Sequence, residues 1–185
     1  MRIIGGNFKG KKIYLPKDKK TRPLRDLVKE SIFNLIIHSN KFNCVVENSN
    51  ILDLFSGTGS FGIECISRNA KKVTFIENYK EALNVLKKNI FDLDVQNKFE
   101  IIEENCFNFL NKNKFKEKFN IIFMDPPYKE KNLNFIINFV IEEKILDING
   151  ILIIHRHIKD TINISDKLKI IEERSYGISK IIIGN

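Results

Sequence analysis

From residue 51 to residue 155 the sequence alternates between short apolar runs and segments with helical periodicity. The runs are mainly apolar and show no regular alternation with polar residues, which indicates strands that are covered by helices on both faces. Strands separated in this way by helices form parallel sheets. Two further runs, 167–174 and 178–183, flank a tight turn and predict an antiparallel edge. The sequence therefore predicts an α/β domain with a doubly wound, mostly parallel sheet. The predicted central strands are 51–55, 72–77, 99–103, 119–125 and 150–155.

The N-terminal part departs from this alternation. Residues 1–22 contain two short β-prone runs around glycines, which predicts a small hairpin-like extension. Pro23 suits the first turn of a helix, and apolar residues at helical spacing continue that helix to about His38. We therefore expect a basic extension at residues 1–22 and one larger domain at residues 23–185.

The composition is that of an ordinary globular chain, with 185 residues, 43% of them hydrophobic and 29% charged. Its three cysteines have no CxxC spacing, which argues against a disulfide framework or a cysteine zinc site. No apolar run approaches the length of a membrane span, and the N-terminus lacks the core of a signal peptide. We expect a cytoplasmic monomer without a bound metal.

The excess positive charge is concentrated near the N-terminus. The whole chain carries a net charge of +8, and residues 1–30 hold ten Lys/Arg against three Asp/Glu. Such an arrangement predicts an edge that binds a polyanion. The candidate phosphate contacts are Arg2, Lys9, Lys11, Lys12, Arg22 and Arg25.

A glycine-rich segment, residues 53–62 (DLFSGTGSFG), lies where the first central strand meets the next helix. Its glycines match the GxGxxG fingerprint, and Glu77 ends the following strand at the ribose-binding position. The segment predicts a nucleoside cofactor, either NAD or S-adenosylmethionine. Asp53 distinguishes between the two cofactors. Its carboxylate would repel the pyrophosphate of NAD, whereas it would attract the ammonium and the sulfonium of S-adenosylmethionine. S-adenosylmethionine is favoured, and NAD is the weaker alternative.

A second motif, residues 125–128 (DPPY), follows the fourth central strand. Two prolines cannot continue a central strand, so the chain has to turn at Asp125. The Asp125 carboxylate and the Pro126 carbonyl are two acceptors that can hold a planar amino group during its alkylation. Tyr128 offers an aromatic face on which a flipped-out base can stack. The motif predicts methyl transfer to an exocyclic amine. The predicted catalytic groups are the Asp125 carboxylate, the Pro126 carbonyl and the Tyr128 ring.

The two motifs, in this order, resemble those of the amino-methyltransferases of the class I S-adenosylmethionine fold. Three further segments narrow the resemblance: the N-terminal RIIGG, the VKESIFN helix segment at 28–34, and Tyr176-Gly177. Together they resemble the bacterial 16S rRNA guanine-N2 methyltransferase family, and the match extends over nearly the whole chain.

This resemblance implies a Rossmann-like sheet of seven strands in which the last strand is reversed. It also implies S-adenosylmethionine as methyl donor and one guanine N2 amine in 16S rRNA of the small ribosomal subunit as acceptor. The residues implied to bind the cofactor are Asp53, Phe55, Ser56, Gly57, Thr58, Gly59, Glu77, Asn105 and Cys106.

Other functions share some of these features. A DNA adenine-N6 or protein glutamine-N5 methyltransferase has a similar four-residue turn without the N-terminal signature. A non-catalytic RNA-binding assembly factor could retain the cofactor fold as a scaffold. His155 and His157 lie two apart on a predicted strand and could form a metal pair, but the sequence offers no obvious third ligand.

Overall fold

A computed structural model describes residues 1–18, 21, 24–95, 97–112, 115, 117–160 and 163–185. Within these residues the chain forms seven strands, five α-helices and a short 3-10 helix at Gly6–Phe8. The strands are β1 Asn50–Leu54, β2 Lys72–Glu77, β3 Phe99–Glu103, β4 Phe119–Met124, β5 Leu146–His157, β6 Ile170–Tyr176 and β7 Ser179–Gly184. The helices are α1 Asp26–His38, α2 Ser60–Ser67, α3 Lys80–Phe91, α4 Cys106–Lys112 and α5 Leu133–Glu142.

The described strands form one sheet in the order β3-β2-β1-β4-β5-β7-β6. All neighbouring pairs from β3 to β5 are parallel, whereas β7 is antiparallel to both β5 and β6. The predicted doubly wound sheet with a reversed last strand is confirmed. Strand order reverses between β1 and β4, and in such sheets ligands bind beyond the carboxyl ends of the strands at this point.

Successive side chains of the central strands enter two separate cores. On β1, Ile51 packs in the core beneath α1, α2 and α3, and Leu52 packs in the core beneath α4 and α5. The same alternation continues on β4 and β5. Both faces of these strands are therefore buried, which explains why their sequences are mainly apolar and lack a regular alternation with polar residues.

Several predicted element boundaries were wrong; β6, for example, begins at Ile170 and not at residue 167. Helix α1 begins at Asp26, with Arg25 as its N-cap residue, whereas Pro23 was expected to open it and lies outside the described residues. Strand β5 covers twelve residues instead of the predicted six. Its first half pairs with β4 across a register shift and is partly exposed, so it lacks the apolar run by which the rest was recognised.

The N-terminal extension contacts a buried ion pair of the domain, Lys29 with Glu64. Arg2 and Lys12 form an antiparallel bridge, as a hairpin requires, and Ile3 is buried in the core beneath α1 to α3. Nζ of the fully buried Lys29 donates to the Arg2 carbonyl at 2.7 Å and lies 3.7 Å from the Glu64 carboxylate. Burial lowers the pKa of Lys29. The extension therefore shares the core of the domain. Among the described residues, no helix has both the length and the apolar character of a membrane span.

Candidate functional site

A cleft of about 790 Å³ opens at the carboxyl ends of β1, β2, β4 and β5. Its volume is within the range of small-molecule sites, and its position is the one expected for this sheet topology. Both sequence motifs contribute to its walls. The predicted site residues that line it are Asp53, Phe55, Ser56, Gly57, Thr58, Glu77, Asp125, Pro126 and Tyr128.

The glycine loop after β1 follows a left-handed backbone. Phe55, Gly57 and Gly59 have φ angles of 58°, 56° and 80°. A non-glycine residue such as Phe55 adopts this conformation at an energetic cost, which is commonly retained at binding sites. A Cβ on Gly59 would lie 2.3 Å from Leu86 Cδ1, so this glycine serves the packing of α2 against α3. Gly57 is the glycine of the loop that faces the cleft.

The Glu77 carboxylate fixes the glycine loop to the end of β2. Its Oε2 accepts a hydrogen bond from Gly57 N–H at 2.7 Å, and its Oε1 accepts from Asn78 N–H at 2.9 Å and Tyr79 N–H at 2.7 Å. An ionised carboxylate has about four acceptor sites, so one remains for a ligand hydroxyl. This position in the cleft wall suits the ribose-binding role predicted for Glu77.

Asp53 is a buried carboxylate in the same wall. Its Oδ2 accepts from Gly62 N–H at 3.0 Å, and the residue is 1% exposed. Burial raises the pKa of Asp53 well above its usual value, and the charges of Asp125 and Glu77 raise it further, against the opposing effect of the Gly62 hydrogen bond. A cation bound beside Asp53 would favour its ionised form. The cleft therefore has three carboxylates and suits a positively charged ligand.

Ser56 and Thr58 hold the loop from within the protein. Ser56 Oγ donates to the Asp53 carbonyl at 2.6 Å and accepts from Ile76 N–H at 3.0 Å, which ties β1 to β2. The carbonyl of Thr58 accepts from the Asn89 side chain at 3.0 Å. These contacts make the loop part of the rigid sheet edge.

Asn105 and Cys106 lie at the start of α4, and neither lines the cleft formed by the described residues. The Asn105 side-chain oxygen accepts from Phe107 N–H at 2.9 Å, as an N-cap residue does. Cys106 is buried, which raises the pKa of its thiol to about 12, and it contacts the backbone of Phe55. Their predicted contact with an adenine ring stays a prediction.

The Asp125 carboxylate is paired with His155. Met124 of β4 pairs with Ile154 of β5, so the next residues on these parallel strands are Asp125 and His155. Asp125 Oδ1 lies 2.8 Å from His155 Nδ1, and both residues line the cleft. From the sequence, His155 is predicted only as a candidate metal ligand, and this contact is not predicted. The contact depends on the register between β4 and β5, for which the sequence gives no signal.

Arg156 holds the rest of the DPPY turn. Its buried guanidinium donates to the carbonyls of Pro126 at 3.3 Å, Pro127 at 3.2 Å and Tyr128 at 3.3 Å, and it forms an ion pair with Asp160. The Pro126 carbonyl, which was predicted to face the target amine, therefore already accepts one hydrogen bond. A carbonyl oxygen can accept two, so one lone pair remains. The sequence analysis did not identify Arg156.

Tyr128 is half-buried in the cleft wall, and its ring meets the His157 ring edge-on, with centroids 5.2 Å apart. His157 Nδ1 accepts from Lys159 N–H at 3.0 Å. His155 and His157 thus make separate contacts instead of facing a common ion. Within the described residues, no group of three or more His, Cys, Asp or Glu could hold a metal.

The predicted arginine contacts have different surroundings. Arg25 is exposed and lines the cleft. Arg2 is largely exposed, with its Nε 3.8 Å from the Asp26 carboxylate. Arg22 lies outside the described residues.

The predicted lysine contacts are exposed side chains of the extension. Lys9, Lys11 and Lys12 are exposed, and the Lys12 ammonium lies 5.7 Å from the centre of the Tyr14 ring. Lys88 of α3, which the sequence analysis did not include, lies 4.0 Å from the same ring centre. We name Lys9, Lys11, Lys12, Tyr14 and Lys88 the basic surface. Its combination of cations and an aromatic ring is typical of single-stranded RNA binding.

The chain is similar to known proteins over its whole length. The family described as conserved hypothetical protein 95 matches residues 1–185. Ribosomal RNA small subunit methyltransferase D of Haemophilus influenzae is 31% identical over 179 residues, which cover 96% of this chain and 90% of that protein. The protein of the same name from Buchnera aphidicola is 36% identical over 86% of this chain and 80% of its own length. The structure of the Escherichia coli protein yhhF aligns with a TM-score of 0.81, 25% identity, and coverage of 100% of this chain and 96% of that one.

Proposed function

The chain belongs to the family of ribosomal RNA small subunit methyltransferase D, and from this premise we propose that it methylates the exocyclic N2 amine of one guanine in 16S rRNA. Its coarser activity follows from the family and the fold: it is an S-adenosylmethionine-dependent rRNA methyltransferase. The observation that carries the finer proposal is the meeting of the two motifs in one acidic cleft.

The side of the cleft formed by residues 53–58 and Glu77, which we name the cofactor wall, fits S-adenosylmethionine. When bound, this cofactor supplies a methyl group attached to a positively charged sulfur. Asp53 offers a buried carboxylate to the positive charges, and Glu77 has an acceptor site for a ribose hydroxyl. A pyrophosphate would be repelled by these same carboxylates, which argues against NAD. The match to S-adenosylmethionine therefore depends on the negative charge of Asp53 and Glu77 as well as on the glycine loop.

The DPPY wall suits an aromatic amine. Asp125 accepts a hydrogen bond from the amino group and stabilises the positive charge that develops on the amino nitrogen. Pro126 offers its remaining carbonyl lone pair to the second hydrogen, and Tyr128 stacks on the base. Asp125 then takes the proton that the methylated nitrogen loses. These groups require an exposed amine on a planar ring, as guanine N2 provides.

The basic surface supports RNA as the macromolecular substrate. Lys9, Lys11 and Lys12 neutralise phosphates in any single-stranded segment that reaches the cleft, and Tyr14 offers a stacking face. A peptide substrate, as in glutamine methylation, would not need this surface. We infer that the extension orients the rRNA while the cleft performs the reaction.

The test is transfer of a labelled methyl group to small ribosomal subunits from cells that lack the enzyme. Duplex DNA and naked 16S rRNA serve as parallel substrates, and subunits from wild-type cells serve as a control that is already methylated. We expect label only in the unmethylated subunits or their rRNA, recovered after digestion as N2-methylguanosine. Label in adenosine, in DNA or in ribosomal protein would contradict the proposal.

A further inference from the structure

His155 is a buried polar residue whose two ring nitrogens have different surroundings. Nδ1 lies 2.8 Å from Asp125 Oδ1. Nε2 is buried and, within the described residues, has no hydrogen-bond partner. The side chain is only 9% exposed, although the residue borders the cleft. A buried nitrogen without a partner costs free energy that an apolar residue at this position would avoid.

These surroundings identify the hydrogen-bonding form of the ring. An ionised carboxylate can only accept, so the hydrogen between the two groups belongs to Nδ1. Nε2 then carries a lone pair. The opposite tautomer would leave a buried N–H without an acceptor and would place the lone pair of Nδ1 against a carboxylate oxygen. His155 therefore donates to Asp125.

We propose that His155 is a positioning residue for methyl transfer, an inference that rests on the proposed function of the cleft. Its Nδ1–H holds Asp125 Oδ1 and thereby fixes the rotation of the carboxylate, so that Oδ2 is presented to the acceptor amine. Asp125 begins a turn at the end of β4 and its side chain is 22% exposed, so without this contact the carboxylate could rotate towards solvent. A catalytic acceptor that is fixed before the substrate arrives loses no orientational freedom in the reaction.

Three substitutions distinguish the contribution of the His155 Nδ1–H donor from that of the aromatic ring. In His155→Asn the amide nitrogen occupies the place of Nδ1 and can still donate, in His155→Gln the amide reaches the place of Nε2, and His155→Phe keeps a ring without a donor. We expect kcat to fall about 10- to 100-fold in the Gln and Phe variants and to stay within about threefold of wild type in the Asn variant. The KM for ribosomal subunits and the Kd for S-adenosylmethionine should change less than about twofold in all three.

Cofactor binding shows that each variant is folded, and His38→Asn on the exposed end of α1 is the matched control with wild-type kcat. Unchanged kcat in His155→Phe would overturn the proposal. An Asn variant as slow as the Phe variant would also overturn it, because the ring and not its donor would then matter. A parallel loss of cofactor affinity would assign His155 to the general integrity of the cleft instead.

A second measurement does not depend on turnover. ¹⁵N NMR of the imidazole should show His155 with a protonated Nδ1 and a bare Nε2, and Asp125→Ala should abolish the hydrogen-bonded Nδ1–H signal. The reverse tautomer in the wild-type protein would overturn the proposal. Methylation of an amine other than guanine N2 would instead refute the proposed substrate, and the comparison of the three variants would stay valid for that amine.

Discussion

The two walls of the cleft are held in place by different kinds of contact. The cofactor wall is fixed by the backbone amides and hydroxyls of its own motif, since Glu77 binds the Gly57 amide and Ser56 binds both β1 and β2. The DPPY turn is fixed instead by two consecutive side chains of β5, His155 and Arg156. One wall is thus held by several contacts between the ends of β1 and β2, and the other by two side chains from the neighbouring strand β5.

This difference predicts how each wall responds to substitution. Loss of one side chain from β5 removes several contacts of the DPPY turn at once, because Arg156 alone donates to the carbonyls of Pro126, Pro127 and Tyr128. The cofactor wall shares none of these contacts. Catalysis and cofactor binding should therefore be separable by mutation.

The largest effect is expected for Asp125→Ala. The substitution removes the acceptor that binds the amine and stabilises the charge on its nitrogen, so methyl transfer should fall about 10²- to 10³-fold. The Kd for S-adenosylmethionine should change less than about threefold, because the cofactor wall is held independently. Single-turnover methyl transfer and calorimetric titration measure the two quantities. An equally large loss of cofactor affinity would show that the two walls are not separable.

The next effect is expected for Arg156→Met. The turn carbonyls lose the Arg156 donor and Asp160 loses its ion pair with Arg156, so the free energy of unfolding should fall by about 3 kcal/mol and kcat about 10- to 100-fold. Arg156→Lys is the matched variant, because an ammonium can restore the ion pair but not the planar fork of donors. We expect Lys to recover most of the stability and little of the rate in thermal unfolding and kinetic assays. Full recovery of kcat by Lys would indicate that charge alone holds the turn.

The same difference explains what the sequence could predict. The cofactor wall lies within contiguous motifs, and a glycine loop followed by an acid at the next strand end specifies both the fold and the cofactor class. The place of Asp53 and Glu77 in the cleft wall could therefore be predicted from the sequence alone. The reversed last strand was also predictable, because Tyr176-Gly177 indicates a tight turn between two segments predicted as strands.

The contacts of the DPPY turn could not be predicted in this way. The pairing of Asp125 with His155 depends on the register between β4 and β5, which is set by a shift between Phe119 and Ile121 that leaves no pattern in the sequence. Arg156 follows an apolar run and gives no sign that it points at backbone carbonyls. Lys88 belongs to the basic surface only because α3 passes beside Tyr14. Each of these residues functions through a neighbour that is distant in sequence.

A smaller effect, confined to the other wall, is expected for Asp53→Asn. The amide can still accept from Gly62 N–H but no longer offers a negative charge, so S-adenosylmethionine should bind about tenfold more weakly in a calorimetric titration. The maximal rate at saturating cofactor should change less than the affinity. Asp92→Asn, on the exposed end of α3, is the control. Unchanged affinity in Asp53→Asn would argue against a cationic ligand at this wall.

The difference in stability between the wild-type protein and this variant should depend on pH in a defined direction. Burial raises the pKa of Asp53 in the folded protein, so the folded state binds this proton more tightly than the unfolded state does. The resulting stabilisation is complete below the unfolded pKa of about 4 and is lost as pH rises through the raised value. The wild-type protein without cofactor should therefore become less stable relative to Asp53→Asn from acidic towards neutral pH. A stability difference that does not vary with pH in chemical unfolding would contradict this assignment.

The smallest effect is expected at the basic surface, which belongs to neither wall. Lys12→Ala removes one phosphate contact, so the KM for ribosomal subunits should rise about two- to fivefold at low salt. The slope of log affinity against log salt should become shallower by about 0.7 to 0.9. The kcat should not change, because Lys12 is not among the described residues that line the cleft. Lys167→Ala is the matched control, since this exposed lysine pairs with Glu142 of α5 on the opposite face of the sheet. A lower kcat in Lys12→Ala would show that the extension positions the acceptor base itself. The basic surface would then contribute to catalysis as well as to RNA binding, together with the two walls of the cleft.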